Sequence, residues 1–318
     1  MSKPKVFVLN PYHQDAIALL QQSSSIQAIL PGQPGSDQWH NEADGILIRS
    51  DTRLTGQDFA MAKKLKVVVK LGTGVDNIDL EAAKQHGISI CNTPAMNAEA
   101  VAELTLTLAL TVARRVVEID RKLNRGEDLI RSQLLGQSLY QKTIGIIGMG
   151  NVGKALARKW IGAMEGKIIA YDPFAPNGAW EDIEHHRVLD LDILLKSSDV
   201  ISLHVPRTEE TTDMIDQREF GLMKKNAILL NCARGGIVNE DALLDALDEK
   251  GIFGAALDAL DFEPPSLERH GLHLGFDNLV LTPHVGGTTE ENQSASGRFA
   301  VETVVAVLEG REVENRVV

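Results

Sequence analysis

The segment IGIIGMGNVGKALARKW, residues 144–160, places the tightest limits on what this chain can fold into. Gly148, Gly150 and Gly153 have the spacing GxGxxG, with an apolar strand-like run before them and an amphipathic helical pattern after them. A turn of this kind needs a first glycine to make the bend and a second to let backbone approach a pyrophosphate. The third lets the helix pack closely on the sheet. The N–H groups at the helix start then face the anion. KIIAYD follows and ends in Asp172, nineteen residues after Gly153. A carboxylate there accepts hydrogen bonds from both ribose hydroxyls of NAD and repels the 2′-phosphate of NADP. The next residues, PFAPNGAWEDIE, carry no cation to offset that repulsion, so NAD is the expected cofactor.

The rest of the chain repeats the same alternation. Apolar runs Val6–Leu9, Gly45–Ile48, Lys66–Val69 and Ile88–Cys91 read as strands, with helical patterns around 13–22, 56–64 and 79–86 between them. After Asn92-Thr93-Pro94, the stretch Ala98–Val117 reads as one long helix, apolar on nearly every side and expected to be buried between domains or between subunits. A second series places strands near 143–148, 167–171, 199–203, 227–231, 253–257 and 279–281, then a final helix at about 289–309. Such alternation builds parallel sheets with helices on both faces. The expected fold class is α/β, two doubly wound parallel-sheet domains facing a cleft.

Composition narrows the function. The 318 residues are 43% apolar, enough for two cores, and a formal net charge of −12 argues against nucleic acid or an anionic membrane as the main partner. Cys91 and Cys232 lie far apart with no CxxC spacing and read as two unpaired thiols in a reducing compartment. No apolar stretch is long enough for a bilayer, and the start of the chain runs into VFVLN without a signal-peptide pattern. A soluble, cytoplasmic protein is expected. His185-His186 invites a metal reading, but neighbours on a polar segment do not readily share one ion, so a surface pair and no metal are expected.

Arg234 follows the apolar run AILLNCA, Glu263 lies in DALDFEPP, and His284 lies in LVLTPHVGG. Ligands of open parallel sheets bind beyond the carboxyl ends of strands, which is where all three fall. Reduction of a 2-keto acid needs a cation for the carboxylate and carbonyl, and a proton donor for the developing alkoxide. Arg234 suits the first role and His284 the second. A carboxylate beside the imidazole, Glu263, would orient it and favour its charged form. Each has a plainer reading, as a helix-end ion pair, a solvated loop acid and a packed histidine; their place after a nucleotide fold favours the catalytic one. Gly72, Thr73 and Gly74, in VVVKLGTGVDNID, follow a buried strand and offer N–H groups to a carboxylate.

LGTGVDNIDL, GMGNVGKALA, CARGGIVNEDAL, DALDFEPP and TPHVGG together resemble the D-isomer-specific 2-hydroxyacid dehydrogenases, in the branch of phosphoglycerate dehydrogenase, over nearly the whole chain. The resemblance implies that Arg234 binds substrate, Glu263 tunes the histidine and His284 is the acid/base. It implies cofactor contacts from Asn151, Val152, Asp172, Val205, Cys232, Ala233, Arg234, Asp258, His284, Gly286 and Gly287, besides the glycine turn. It also implies a Rossmann NAD-binding domain, residues 97–287, inserted in a flavodoxin-like substrate domain made of 1–96 and a returning C-terminal helix in 288–318. The long helix is expected to help form a homodimer.

The chain departs from that family in places. Phosphoglycerate dehydrogenases usually have arginine where this chain has Lys70, and lysine keeps the charge but loses the planar fork that grips phosphate. Arg49, closing GILIR, matches a phosphate-contacting position. Both are expected to bind a second anionic group of the substrate, as in 3-phosphoglycerate, unless they pair with acids such as Asp51 or Asp76. WIGAMEGKIIAYD is long between helix and strand, which reads as a loop insertion, and HVGG replaces the commoner HxGA. With Val318 shortly after the last helix, the regulatory domain of some phosphoglycerate dehydrogenases is expected to be absent. A competing reading is an NAD(H)-sensing protein resembling the corepressors of this fold; no long polar tail or peptide-docking extension is evident, which favours catalysis.

Overall fold

The computed structural model describes residues 2–318, which form two compact units. One runs to Asn97 and resumes at Gly287–Val318; the other is Ala98–Gly286.

The first unit is a five-stranded parallel sheet of β1 (Lys5–Val8), β2 (Gln27–Ile29), β3 (Gly45–Ile48), β4 (Val67–Lys70) and β5 (Ser89–Cys91), in the order β2-β1-β3-β4-β5. That is the flavodoxin-like order. Every residue of β3 and β4 is buried, because helices cover both faces and an alternating strand would place polar groups against one of them. Phe7, Ile46, Ile48 and Val68 pack with Phe59 and Ile78 on one face. Val6, Val8, Val67 and Val69 pack on the other with Ala300, Val301 and Val304 of the helix Glu290–Leu308.

The second unit holds seven parallel strands: β6 (Thr143–Ile147), β7 (Lys167–Tyr171), β8 (His186–Val188), β9 (Val200–Leu203), β10 (Ile228–Asn231), β11 (Gly254–Leu257) and β12 (Leu279–Leu281). Their order, β12-β11-β10-β9-β6-β7-β8, reverses direction between β6 and β9, which makes the carboxyl ends of those two strands the switch point of a Rossmann sheet. Helix Ala98–Ala113 buries Val101, Leu108 and Val112 in the same core as Ile144, Leu156 and Trp160.

Three local readings of the sequence are corrected. β2 and β8 were not expected: each is a three-residue edge strand, too short and too mixed in character to give an apolar run. The helix expected to reach Val117 stops at Ala113, where Arg115 takes φ 55° and starts a second helix, Val116–Asn124. Its guanidinium bonds both oxygens of the buried Glu118, at 2.7 and 2.6 Å, and that pairing sets the new direction. No loop insertion precedes β7. Helix Asn151–Met164 takes up the residues instead, leaving only Glu165 and Gly166 as the connection, with Glu165 as a left-handed C-cap.

Candidate active site

The glycine turn fits a pyrophosphate. At Gly148, with φ 102°, a Cβ would meet the His204 carbonyl oxygen at 2.5 Å, and at Gly153 it would collide with the Gly148 carbonyl. At Gly150 it would meet nothing within 4 Å, so that glycine leaves open the space an anion needs. Gly150 is the N-cap of helix Asn151–Met164, whose first N–H groups, on Asn151, Val152 and Gly153, have no acceptor four residues back. Val205 packs against the turn, its Cγ1 3.1 Å from where a Gly148 Cβ would stand. His204 is half-buried, its Nε2 2.8 Å from Ser202 Oγ, and desolvation pushes its pKa down to about 3, so it adds no charge there.

Asp172 stands immediately after β7, and its carboxylate is fixed by three main-chain donors. Oδ2 accepts from Met149 N at 2.9 Å, and Oδ1 from Phe174 N at 2.9 Å and Ala175 N at 3.1 Å. The residues that follow Asp172 in the chain hold no cation, but the structure brings one from further on. Arg187, from the neighbouring strand β8, donates Nη2 to Asp172 O at 2.8 Å and to Ala175 O at 2.7 Å, and Nη1 to Pro176 O at 2.9 Å. The expectation of a turn without positive charge is corrected accordingly. The signal is hidden in the sequence because β8 has no pattern that marks it as the strand beside β7.

Three loops at the carboxyl ends of β10, β11 and β12 carry Arg234, Glu263 and His284. Asn231, 1% exposed, shapes the first loop: its Oδ1 accepts from Ala233 N at 3.1 Å and its Nδ2 donates to Arg234 O at 2.8 Å. A side chain at Gly235 would collide with the Leu260 carbonyl, so the loops of β10 and β11 touch. Buried Asp258 ties the third loop, its Oδ1 accepting from Thr282 Oγ1 at 2.6 Å and Val285 N at 2.8 Å, and its Oδ2 from Gly286 N at 2.8 Å. His284, at φ 55°, donates its own N–H to Asp258 O at 2.8 Å, and its Nδ1 lies 2.8 Å from Glu263 Oε2. Burial pushes the Glu263 carboxyl up, but the bond and charge of His284, the N–H of Leu260 and the charge of Arg234 outweigh it and leave it below the usual range. Cys232, beside Arg234, is driven up to about 12 by burial and stays a thiol.

Two of the proposed substrate residues, Arg49 and Lys70, stand at strand ends of the other unit. Ile48 of β3 is the lateral partner of Lys70 in β4, so Arg49 stands one residue beyond the level of Lys70. Lys70 is 5% exposed, and a Cβ on Gly72 would stand 3.0 Å from its Nζ, which puts the ammonium beside the glycine turn. Arg49 Nη1 donates to Gln293 Oε1 at 2.7 Å and to Pro11 O at 3.5 Å, neutral oxygens rather than the Asp51 considered from sequence. The turn's N–H groups are fewer than expected, because Gly72 N donates to Thr93 Oγ1 at 2.7 Å. Thr73 and Gly74 supply the remaining N–H groups. Gly287 belongs to this unit, its carbonyl taken by Asn292 Nδ2 at 2.6 Å and Gln293 Nε2 at 2.7 Å.

Sequence reasoning passed over Asn231, Trp180 and Arg187. Trp180 Nε1 donates to Met149 O at 2.9 Å and so props the glycine turn from a segment with no motif. Among the described residues no cluster of His, Cys, Asp or Glu could hold a metal, and no helix is long and apolar enough to cross a membrane. His186 is exposed on the edge strand, while His185 is half-buried with Nδ1 2.8 Å from Ile183 O.

Known proteins resemble this chain along most of its length. A D-3-phosphoglycerate dehydrogenase of Methanocaldococcus jannaschii is 40% identical over 98% of this chain, which spans 59% of that protein's length. A hydroxypyruvate reductase of Thermotoga maritima is 37% identical, with 96% of this chain and 98% of that protein matched. The solved TT0316 protein of Thermus thermophilus superposes with a TM-score of 0.87 at 34% identity, covering 99% of this chain and 100% of that one. Residues 106–286 match the NAD binding domain of the D-isomer specific 2-hydroxyacid dehydrogenases, and the chain belongs to that family.

Proposed function

We propose that the chain is an NAD-dependent D-2-hydroxyacid dehydrogenase that works in the cytoplasm on a small 2-hydroxy or 2-keto acid. The observation that carries this reading is the His284–Glu263 pair, 2.8 Å apart, with the charge of Arg234 felt at Glu263. The nicotinamide supplies or accepts the hydride when bound. Arg234 holds the substrate carboxylate and polarises the carbonyl. Because Nδ1 of His284 is committed to Glu263, Nε2 is the atom that gives a proton to the forming alkoxide or takes it from the hydroxy acid. Glu263 keeps the ring in that tautomer and orientation, and Asp258 holds the loop beneath it.

The glycine turn takes the pyrophosphate and Asp172 the adenosine ribose hydroxyls, with Val205, Cys232, Ala233, Asp258 and Gly286-Gly287 completing the cofactor contacts. The N–H groups of Thr73 and Gly74 suit a carboxylate, and Arg49 and Lys70 read a second anionic group, as on 3-phosphoglycerate. We also propose a homodimer. Val116, Leu123, Ile130 and Leu135, just beyond helix Ala98–Ala113, are all more than half exposed and call for a cover. Light scattering that returns a monomer at micromolar concentration overturns the dimer.

The reaction is tested by NADH oxidation against hydroxypyruvate, phosphohydroxypyruvate, glyoxylate and branched or sulfonated 2-keto acids, with His284→Asn as the control. At least one should turn over, and His284→Asn should lower its kcat by about 10²–10⁴-fold with NADH affinity unchanged. Binding of NADH without turnover of any of them would favour a dinucleotide sensor instead.

A further inference from the structure

The turn Asp172–Pro176 is wound around two opposite charges. Its N–H groups point inward to the Asp172 carboxylate, from Phe174 and Ala175, while the carbonyls of Asp172, Ala175 and Pro176 point to the Arg187 guanidinium. Three carbonyls on one planar fork fix the turn far more tightly than any one of them could, since the spacing of the guanidinium nitrogens sets the spacing of the oxygens. Arg187 Nε is buried without a partner among the described residues, so the side chain is held there despite an unsatisfied donor. Such a cost is not expected of an arginine that merely covers a strand edge, where the head could swing into water.

We propose that Arg187 is a positioning residue for cofactor selection. It holds the 172–176 turn in the one shape that aims the Asp172 carboxylate at the adenosine ribose. Its charge also sets a second condition. With Asp172 in place the two charges offset each other, and the ribose pocket favours hydroxyl donors. With Asp172 neutralised, the guanidinium is left as an unopposed positive charge on that turn, and the pocket turns toward a 2′-phosphate. The inference rests on the assignment of Asp172 to the ribose, and the two are separable by experiment.

Equilibrium titration of protein fluorescence with NADH and NADPH reads binding without turnover. Asp172→Ser tests the carboxylate: it should lose NADH affinity and gain NADPH affinity, and a variant that keeps the wild-type ratio removes the ribose assignment itself. Arg187→Lys and Arg187→Met test the fork. A single ammonium cannot span three carbonyls, so both should weaken NADH by about tenfold, roughly the loss of one charge-assisted hydrogen bond. In the Asp172→Ser background, Arg187→Met should cancel the gain in NADPH affinity and Arg187→Lys should keep part of it. Thermal unfolding is followed in parallel, and Arg187→Lys carries the test where Arg187→Met melts. A fall in melting temperature with both affinities within about twofold of the parent, or a NADPH gain that survives Arg187→Met, reduces Arg187 to a structural residue.

Discussion

His284 Nδ1 lies 2.8 Å from Glu263 Oε2 and 3.1 Å from Oε1, on a residue whose backbone is left-handed at φ 55°. A non-glycine residue takes that conformation at a cost of about 1 kcal/mol, and here the cost is met by the N–H bond of His284 to Asp258 O. Two acidic residues thus divide one task. Asp258 fixes where the main chain of the histidine goes, and Glu263 fixes which way its ring faces. The open ring nitrogen follows from both.

Glu263→Gln should move the pH profile of ketone reduction to lower pH, because the imidazolium loses its ionised partner while the shape is kept. The sign at the carboxyl is the reverse. Glu263 is held below the usual carboxylate range, so its contribution is present above that range and fades as pH falls through the lowered value. Profiles of kcat/KM for wild type and variant check this; superimposable curves would show that the pair does not tune the acid.

Arg234→Lys should raise KM and lower kcat together, by about tenfold or more in kcat/KM, although the charge is unchanged. The planar fork can hold a carboxylate and a carbonyl at once, and an ammonium cannot. The loop around it is set by Asn231 rather than by Arg234 itself, so circular dichroism should be unaltered. Unchanged kinetics would make Arg234 an ion-pairing residue only.

Glu118→Gln should cost about 2 kcal/mol of stability, because Arg115 and Lys122 lose a carboxylate that is 5% exposed. The bond to Arg115 comes first in lowering the Glu118 pKa, to about 2, against burial, with Lys122 adding to it. A lowered carboxyl contributes fully above its ordinary value near 4.5 and loses that contribution as pH falls toward 2. Melting temperatures of wild type and variant should therefore converge across that window. A constant gap down to pH 2 would place the effect in packing.

The inner strands, the glycine turn and the loops of Arg234, Glu263 and His284 were legible because each imposes a local pattern. Gly45–Ile48 and Ile228–Asn231 are continuous apolar runs because both faces are covered. Arg234, Glu263 and His284 stood out as charges just past such runs. What escaped depended on pairings between distant residues. Arg187 reaches the 172–176 turn only because β8 lies beside β7, and a three-residue edge strand leaves no apolar signature. Arg115 breaks an otherwise unbroken helical pattern through a left-handed residue and a buried acid, and neither is visible in periodicity. Thr93 takes the Gly72 N–H from a strand end twenty-one residues away, so the donor count of the turn could not be read from the turn.

Lys70 ends β4 and Arg49 follows the neighbouring strand β3, and together they predict that a second anion on the substrate is recognised. On the proposed reading Arg234 holds the 2-keto acid's own carboxylate, and the two cations answer to a different group. Arg49 is held through Nη1 by Gln293 Oε1, a neutral oxygen that steadies the guanidinium without cancelling its charge, and Lys70 places an ammonium beside Gly72. Lysine at this position lacks the fork suited to phosphate, so a sulfonate or carboxylate should be tolerated as well as a phosphate. The measurement compares matched 2-keto acids with and without the distal anion in wild type, Arg49→Ala and Lys70→Ala. Wild type should prefer the dianion by about tenfold or more, consistent with one charge-assisted contact. Arg49→Ala should erase most of that preference and leave kcat/KM for the monoanion within about twofold, since the carboxylate and the acid/base pair are untouched. Lys70→Ala should do the same, with added loss of stability because the ammonium is buried. A wild type indifferent to the second charge, or variants that lose both substrates alike, would return Arg49 and Lys70 to a purely structural role.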